Sequence, residues 1–372
     1  MRIGIDARFY GPDSKGLGRY TQKLITYLED VDTENEYVIF LRKNNFDLYT
    51  PKNSRFTKVI ADYQWYSFGE QILFPLTLYK SKCDFVHFLH FNVPIFYFKK
   101  FIVTIHDLIL LRYPTRRATT RNIFFYWFKF FLYRIVIAYA VLFSERVIAV
   151  SQFTKDDICN QYPHSHKKIV VVYEAAEFTE IDETNGVSLD KYGILNTYML
   201  YVGNAYPHKN LHSLVDAFAL YKDKGGLIEN LVLVGKKDYF YNELEKYISA
   251  QDISHIIILD TVGDDVLDLL YEKASVFVFP SLYEGFGLPP LEAQLHGLPV
   301  VSSLHPCMQE ILSLSGAQYC DTEDVVAFAL AIDQVVSNEK LREKLIACGL
   351  KNAQKYSWEK MAKKIYNIYK RI

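Results

Sequence analysis

Two successive blocks of short apolar runs, each alternating with helix-length segments, constrain this chain more than any other feature. In the first block the strand-like runs fall at residues 3–6, 37–41, 85–89, 102–106, 146–150 and 169–172. Between them the spacing predicts helices at 18–29, 69–80, 121–143 and 151–160. Ser151 is placed to cap the last of these, with Thr154 and Asp156 in its first turn. Runs such as Ile102-Val103-Thr104-Ile105 are apolar on both faces, as parallel strands covered by helices on each side must be.

The alternation restarts after residues 177–196, a polar, acidic segment with Gly186 and Gly193 and no apolar period. The second block reads as strands at 198–202, 231–234, 255–259, 276–279 and 299–302. Its helices are expected at 210–222, 239–250, 264–272, 290–296 and 322–336. Residues 339–372 read as two helices broken near Ser357. The expected organisation is a first domain over 1–176, a linker over 177–196, a second domain over 197–356 and a terminal helix over 357–372. Both domains are α/β and doubly wound, so ligands belong at the carboxyl ends of their strands. The cleft between two facing domains is the default site.

Composition removes several function classes. In 372 residues, 42 Lys and Arg stand against 43 Asp and Glu, a balance that argues against a nucleic-acid partner. The five cysteines (Cys83, Cys159, Cys307, Cys320, Cys348) are scattered and never spaced C-x-x-C, so no zinc site is expected and the thiols read as small core groups in a reducing compartment. The chain opens straight into a strand without a leader pattern, and the expected location is cytoplasmic.

Aromatic residues are abundant, with 29 Tyr and 26 Phe. The densest run is Ile123-Phe124-Phe125-Tyr126-Trp127-Phe128-Lys129-Phe130-Phe131-Leu132-Tyr133-Arg134, continuing apolar to Phe143. Lys129 and Arg134 in its middle argue against a span, because a charge at mid-bilayer costs roughly 2.5–3.5 kcal/mol on insertion scales. Two readings stay open. The stretch is a core helix whose two cations snorkel, or residues 121–143 rest peripherally on the inner face of a membrane, with Arg112, Arg116, Arg117 and Arg121 adding charge for anionic lipid.

The most specific segment is Phe279-Pro280-Ser281-Leu282-Tyr283-Glu284-Gly285-Phe286-Gly287-Leu288-Pro289-Pro290-Leu291-Glu292-Ala293. A buried strand ends at Pro280, a loop with two glycines follows, and a helix starts at the prolines, where Pro sacrifices no needed donor. The amides of Gly287 and Leu288 at the positive helix end form a seat for an anion such as a diphosphate. Glu284 precedes that seat and Glu292 follows it in the first helical turn. Two acceptors so placed suit a sugar on one side of a diphosphate and a ribose on the other. The plain alternative is a strand–turn–helix corner with incidental acids.

That string resembles the E-x7-E signature of the retaining glycosyltransferases of family four, or glycosyltransferase group 1, which adopt the GT-B fold. The resemblance covers nearly the whole chain. Tyr201-Val202-Gly203-Asn204-Ala205-Tyr206-Pro207-His208-Lys209-Asn210-Leu211 is similar to the family's strand-to-helix phosphate segment, and Val232-Leu233-Val234-Gly235-Lys236-Lys237 to its next strand and loop. Val103-Thr104-Ile105-His106-Asp107-Leu108 resembles its T-x-H-D element, and Gly16-Leu17-Gly18-Arg19-Tyr20 its amino-terminal glycine loop. Ser357-Trp358-Glu359 resembles the start of the last helix, which in this fold crosses back to the first domain.

The resemblance implies that Glu284 holds the donor sugar, Glu292 the ribose and Lys209 the diphosphate, with His106 near the anomeric carbon. The remaining donor-binding positions it implies are Gly16, Gly18, Arg19, Gly203, Asn204, Gly235, Lys236, Gly285, Phe286, Gly287 and Leu288. A cation and helix amides suffice to stabilise a departing diphosphate. No Asp-x-Asp run is present to hold a metal, so no metal or cofactor is expected beyond the nucleotide-sugar substrate. Each role has a plainer counterpart. Lys209 taken alone is a solvated lysine at a helix start, His106 a polar strand tip, and Gly16-Leu17-Gly18 a flexible loop rather than a donor clamp. Three departures from the family pattern stand out. Asn204 occupies a position where many members have Arg, which Lys236 or Lys237 would then replace. His208 stands where relatives often carry a second base, and residues 302–310 lack the usual Pro-Glu ending.

The sequence thus points to a retaining, metal-independent hexosyltransferase. The Pro-x-Lys-Asn and Val-Gly-Lys-Lys sub-patterns favour mannose from GDP-mannose as the donor and a glycan or lipid-linked oligosaccharide as the acceptor. A UDP-hexose or UDP-N-acetylhexosamine transferase is the alternative within enzymes, and a catalytically weak nucleotide-sugar-binding protein the alternative outside them. A dehydrogenase fits less well, since no strand runs directly into a dinucleotide glycine fingerprint.

Overall fold

A computed structural model describes residues 1–114, 123–177 and 188–372, without the side chains of 123–126. Arg116, Arg117, Arg121, Gly186, half of the expected linker (178–187), and the side chains of Phe124, Phe125 and Tyr126 lie outside the described residues. The chain forms two compact units, Met1–Glu174 together with Ser357–Ile372, and Ala175–Tyr356.

The first unit contains β1 (Arg2–Asp6), β2 (Glu36–Leu41), β3 (Phe56–Ile60), β4 (Phe85–Phe88), β5 (Phe101–Ile105), β6 (Arg146–Ala149) and β7 (Ile169–Val171). They form one parallel sheet in the order β3-β2-β1-β4-β5-β6-β7. Its helices are α1 (Lys15–Val31), α2 (Phe68–Lys80), α3 (Ile109–Arg112), α4 (Ile123–Phe143) and α5 (Gln152–Gln161). Local chemistry sets their starts. Ser67 caps α2 by accepting from the Glu70 amide at 3.1 Å, and Ser151 caps α5 by accepting from the Thr154 amide at 3.0 Å.

The second unit contains β8 (Tyr198–Val202), α6 (Leu211–Asp223), β9 (Asn230–Val234), α7 (Tyr239–Ala250), β10 (Ile256–Leu259), α8 (Asp264–Lys273) and β11 (Val276–Phe279). It continues with α9 (Leu288–Leu295), β12 (Val300–Ser303), α10 (Pro306–Leu312), β13 (Gln318–Cys320), α11 (Val325–Ser337) and α12 (Glu339–Ala353). Its sheet is again parallel, in the order β10-β9-β8-β11-β12-β13. The last helix, α13 (Trp358–Tyr369), is part of the first unit and packs on α1. Ser357 caps it, which is why the terminal pattern breaks there.

The central strands are buried on both faces, as their unbroken apolar runs require. Four elements escaped the periodicity argument. The edge strand β3 carries Lys58 and half-exposed positions, β13 is only three residues long, α3 is a single turn of four residues, and α10 opens on Pro306 in a segment without apolar period.

One further reading is corrected. The glycine loop of residues 16–18 is the first turn of α1, which starts at Lys15 rather than Gly18. Gly18 is there for packing, since a Cβ on it would stand 1.9 Å from the carbonyl oxygen of Gly11. Gly235 is similar, its missing Cβ lying 1.9 Å from the carbonyl oxygen of Gly203.

The aromatic helix α4 buries only one face. Tyr133, Ile137, Ala140 and Val141 enter the core, whereas Trp127, Phe128, Phe131, Leu132, Ile135, Leu142 and Phe143 are exposed, as are Lys129 and Arg134. Among the described residues no helix is long and apolar enough to cross a membrane.

The packing role of Gly18 separates it from its neighbour Gly16, which is exposed in the same turn. Gly18→Ala is expected to lose about 1–3 kcal/mol through overpacking. Gly16→Ala is expected to hold or gain stability, since Ala is the better helix former. Denaturant unfolding of both variants checks this, and equal losses would return the pair to a shared loop role.

Candidate active site

The second sheet reverses its winding between β8 and β11, the place where an open α/β sheet leaves room for a ligand. At the end of β8 the Gly203 amide donates to the Val234 carbonyl at 2.9 Å, and the Gly203 carbonyl accepts from the Tyr241 hydroxyl at 2.9 Å. The Tyr201 hydroxyl donates to the Asn204 carbonyl at 2.8 Å. A short 3-10 turn, Pro207–Lys209, leads to Asn210 in the left-handed region at φ 56°. Its side-chain amide anchors the turn by donating to the Thr322 carbonyl at 2.8 Å.

The loop after β11 is tied to that turn. The Leu282 amide and the Ser281 hydroxyl both donate to the His208 carbonyl, at 2.8 and 3.3 Å. Ser303 and Thr322 donate in turn to the carbonyls of Ser281 and Pro280, at 2.6 and 2.9 Å. This stitching brings Lys209 and Glu284 together from opposite strands of the switch point, and the Lys209 ammonium donates to Glu284 Oε1. Lys209 Nζ also lies 5.5 Å from the centre of the Phe279 ring.

Both groups are largely shielded from water. Burial is the largest influence on the Glu284 carboxyl and would push it up, but the Lys209 charge and the hydrogen bonds from Lys209 and Ser281 together outweigh it, and the carboxyl is held below its ordinary range. His208 is pushed down to about 4 by burial and by the adjacent Lys209. At neutral pH it is therefore a neutral imidazole.

Past Glu284 the chain turns at Gly287, at φ 92°, where a Cβ would stand 2.5 Å from the Met308 methyl carbon. Only glycine fits such a turn. Helix α9 begins at Leu288, one residue ahead of the prolines, and Glu292 falls in its second turn rather than its first. Gly285 and Phe286 are buried in the loop.

Glu292 Oε2 accepts from the Tyr271 hydroxyl at 2.9 Å, and the Tyr271 ring stacks on His296 at 5.0 Å. His296 in turn meets Asp268 at 3.1 Å through Nε2. The divergent segment 302–310 proves to be a buttress. His305 caps α10, and the Cys307 thiol donates to the Phe286 carbonyl at 3.6 Å, behind the glycine turn. Of the two expected substitutes for the missing Arg, Lys237 is turned to Glu245 at 3.0 Å and Lys236 is exposed.

In the first unit, His106 follows β5 directly. Its Nδ1 lies 2.8 Å from Glu174 Oε1 and its Nε2 3.0 Å from the Leu89 carbonyl oxygen. Burial works against its charge, but the hydrogen bond and charge of Glu174 prevail, and its pKa is raised. Arg19 is half-buried on α1.

Two family models match the chain, glycosyl transferases group 1 over residues 195–370 and glycosyltransferase family 4 over residues 14–177. The chain belongs to the group 1, family 4 glycosyltransferases. This glycosyltransferase is 25% identical over 335 residues to an O-antigen chain mannosyltransferase of Salmonella typhimurium, covering 87% of this chain and 88% of that one. It is 31% identical over 232 residues to O-antigen chain mannosyltransferase B of Escherichia coli, 61% of each chain. Among solved structures it resembles a sucrose-phosphate synthase from Thermosynechococcus elongatus, with a TM-score of 0.75 and 17% identity over 100% of this chain and 98% of that chain. The two doubly wound units are those of a GT-B glycosyltransferase.

Sequence reasoning missed Tyr271, which sits on a helix with no motif of its own. It also missed Glu174, whose only signal is an acid three residues past the end of an apolar strand.

The Lys209–Glu284 pair generates a test in the ligand-free protein. Removing one member of a buried ion pair typically costs about 3–5 kcal/mol, so Lys209→Met is expected to lose that much stability at neutral pH. Glu284, with its depressed folded pKa, gives the wild type stability that is present above its ordinary pKa and lost as pH falls through the folded value. The variant lacks that term, so its deficit is expected to narrow on acidification. Urea unfolding at neutral pH and below the ordinary carboxylate range of about 4 reads this, and a pH-independent deficit would rule out the pair as its origin.

Proposed function

We propose that this glycosyltransferase transfers mannose from GDP-mannose to a glycan or lipid-linked oligosaccharide, with retention at the anomeric carbon and without a metal ion or other cofactor. The observation that carries the reading is the buried Lys209–Glu284 pair just ahead of the Gly287 turn and the amino terminus of α9. In the proposed complex a donor separates the pair. Its diphosphate takes the Lys209 ammonium and the amides of Gly287 and Leu288, and a sugar hydroxyl takes Glu284.

The bond from C1 to the diphosphate oxygen breaks, and its electron pair leaves on the phosphate. The acceptor oxygen bonds to C1 on the same face, and its proton passes to the departing phosphate oxygen. Lys209 and the helix amides meet the charge that grows on that phosphate, usually the largest catalytic contribution. Glu292, oriented by Tyr271, accepts the ribose hydroxyls, and His106 acts on the sugar. The mannose assignment is supported by the two relatives described as O-antigen chain mannosyltransferases and by the Pro207-His208-Lys209-Asn210 and Val234-Gly235-Lys236-Lys237 sub-patterns.

The proposed setting is the cytoplasmic face of a membrane, with all five cysteines as free thiols. The outward face of α4 supports it, with Trp127, Phe128 and Phe131 each about half exposed beside Lys129 and Arg134. Such a face suits the interface of an anionic bilayer carrying a lipid-linked acceptor.

Two experiments follow from this reading. With GDP-mannose and an oligosaccharide acceptor, the product is expected to keep the donor's anomeric configuration by proton NMR, and activity is expected to survive EDTA. Glu284→Gln is expected to lower kcat by roughly 10²-fold, the size of a charged hydrogen bond lost in the transition state. Inversion, loss with EDTA that manganese restores, or preference for a UDP-sugar would each overturn its part of the proposal. For the membrane, sedimentation with anionic liposomes is expected to weaken with salt and to drop further in Trp127→Ser/Phe128→Ser. Absence of binding at low salt would assign that face to another partner.

A further inference from the structure

Three histidines stand at the carboxyl end of the first sheet, and their partners sort them into two kinds. His87 meets hydroxyls at both ring nitrogens, the Tyr369 oxygen at 2.6 Å from Nδ1 and the Thr104 oxygen at 2.9 Å from Nε2. A hydroxyl donates or accepts as needed, so a neutral imidazole is satisfied. Burial and the nearby His106 push His87 down to about 3, and His90 likewise, with Arg8 also acting on the latter.

His106 is different because both of its partners are acceptors. The Leu89 carbonyl has no proton to give, and the Glu174 carboxylate has none either. A neutral ring would leave one nitrogen lone pair facing an oxygen lone pair, whereas an imidazolium donates to both. The ring is held further by the Tyr20 ring, edge-on at 4.8 Å, and the Thr154 hydroxyl donates to the His106 carbonyl at 3.3 Å. The pair is shielded, with side-chain exposures of 18% for His106 and 5% for Glu174, so water screens their attraction little.

We infer that Glu174 is a positioning residue of the transfer site, holding His106 as an imidazolium with its ring fixed between the Glu174 carboxylate and the Leu89 carbonyl. The inference rests on the proposed role of His106 toward the donor sugar. A cation fixed in this way presents a preorganised positive charge and moves no proton during the reaction, which suits a step that releases a diphosphate anion. The other titratable groups acting on His106 are Asp107 beside it, which favours its charge, His87 and His90, which oppose it, and Tyr20 against the ring. Burial opposes the charge more than any of them, and the Glu174 hydrogen bond is the largest contribution in its favour.

The test uses the full chain labelled with 15N-histidine. Imidazole correlation spectra are followed through a pH titration, with the His106 signals identified by their loss in His106→Gln. In the wild type both His106 nitrogens are expected to stay protonated to well above the usual histidine pKa of about 6.5. In Glu174→Gln the ring is expected to be neutral at about pH 7, because burial then acts unopposed by its main partner. Glu174→Asp, which keeps the charge, is expected to restore much of the protonation and guards against a folding artefact in the Gln variant.

With a saturating donor, Glu174→Gln is expected to lose roughly 10–100-fold in kcat at neutral pH, the range found when the group orienting a metal-bound histidine is removed. KM should change less, and kcat should recover as the pH is lowered. Unchanged protonation of His106 in Glu174→Gln would overturn the inference, as would deprotonation without any shift of the kcat–pH profile. Absence of turnover by the wild type with every donor would instead fell the functional reading, while the spectra still report on the Glu174–His106 pair.

Discussion

Parallel strands covered by helices on both faces leave a charged side chain almost nowhere to sit except at a strand end. Everything distinctive about this chain follows from that constraint. The strands themselves are apolar, and the polar groups collect where the chain leaves the sheets. Asp6 ends β1 and Arg8 follows it, His106 follows β5, Gly203 to Lys209 follow β8, and Glu284 follows β11. Where charge is forced inward it is compensated. The fully buried Arg8 guanidinium bonds to both oxygens of Asp6 at 2.8 Å and pairs with Glu70 at 2.8 Å, over the face of Phe74. A buried ion without such partners would cost several kcal/mol.

The same accounting explains why the Lys209–Glu284 pair suits a binding site. Taking two ions out of water costs several kcal/mol each, and their attraction, about 4 kcal/mol at 4 Å for an effective dielectric near 20, returns a similar amount only with the help of their hydrogen bonds. The net interaction is therefore close to balance. Exchanging it for a phosphate on the lysine and a hydroxyl on the carboxylate loses little, provided both new contacts form together. A single oxyanion bound to Lys209 alone would strand Glu284 in a shielded place with its charge uncompensated. The pair thereby favours ligands that carry an anion and a hydroxyl at the right separation, which is the description of a sugar diphosphate.

The architecture was legible because the central strands have unbroken apolar runs and the helices carry ordinary start signals at Ser151 and Ser357. The glycine–proline–glutamate segment was legible for a different reason, since its residue types are costly anywhere else. Gly287 is forced by a left-handed turn against Met308, which a single chain position reveals. Other parts were hidden because they depend on partners distant in sequence. Nothing around Tyr271 marks it as the hydroxyl that orients Glu292, and nothing around Gly18 announces the Gly11 carbonyl beneath it. The edge strands β3 and β13 were hidden because an edge tolerates polar residues and short lengths, which weakens the periodicity that reveals central strands. The outward apolar face of α4 was legible in composition but not in orientation, because a helix apolar all round carries no moment to say which side is covered.

The histidines of the first sheet show how partner chemistry, rather than depth alone, decides charge. His87 and His106 are both sequestered, yet one is pushed down to about 3 and the other is raised. The difference lies in what faces their nitrogens. Hydroxyls from Thr104 and Tyr369 accommodate a neutral ring, and the Thr104 hydroxyl passes on to Tyr20 at 3.2 Å, whose ring lies against His106. The neutral chain therefore runs from α13 through the sheet to the edge of His106. Were His87 charged as well, two cations would sit in one weakly screened region. Keeping His87 neutral lets the α13 tyrosine dock without a counterion, while the Glu174 carboxylate bonds His106.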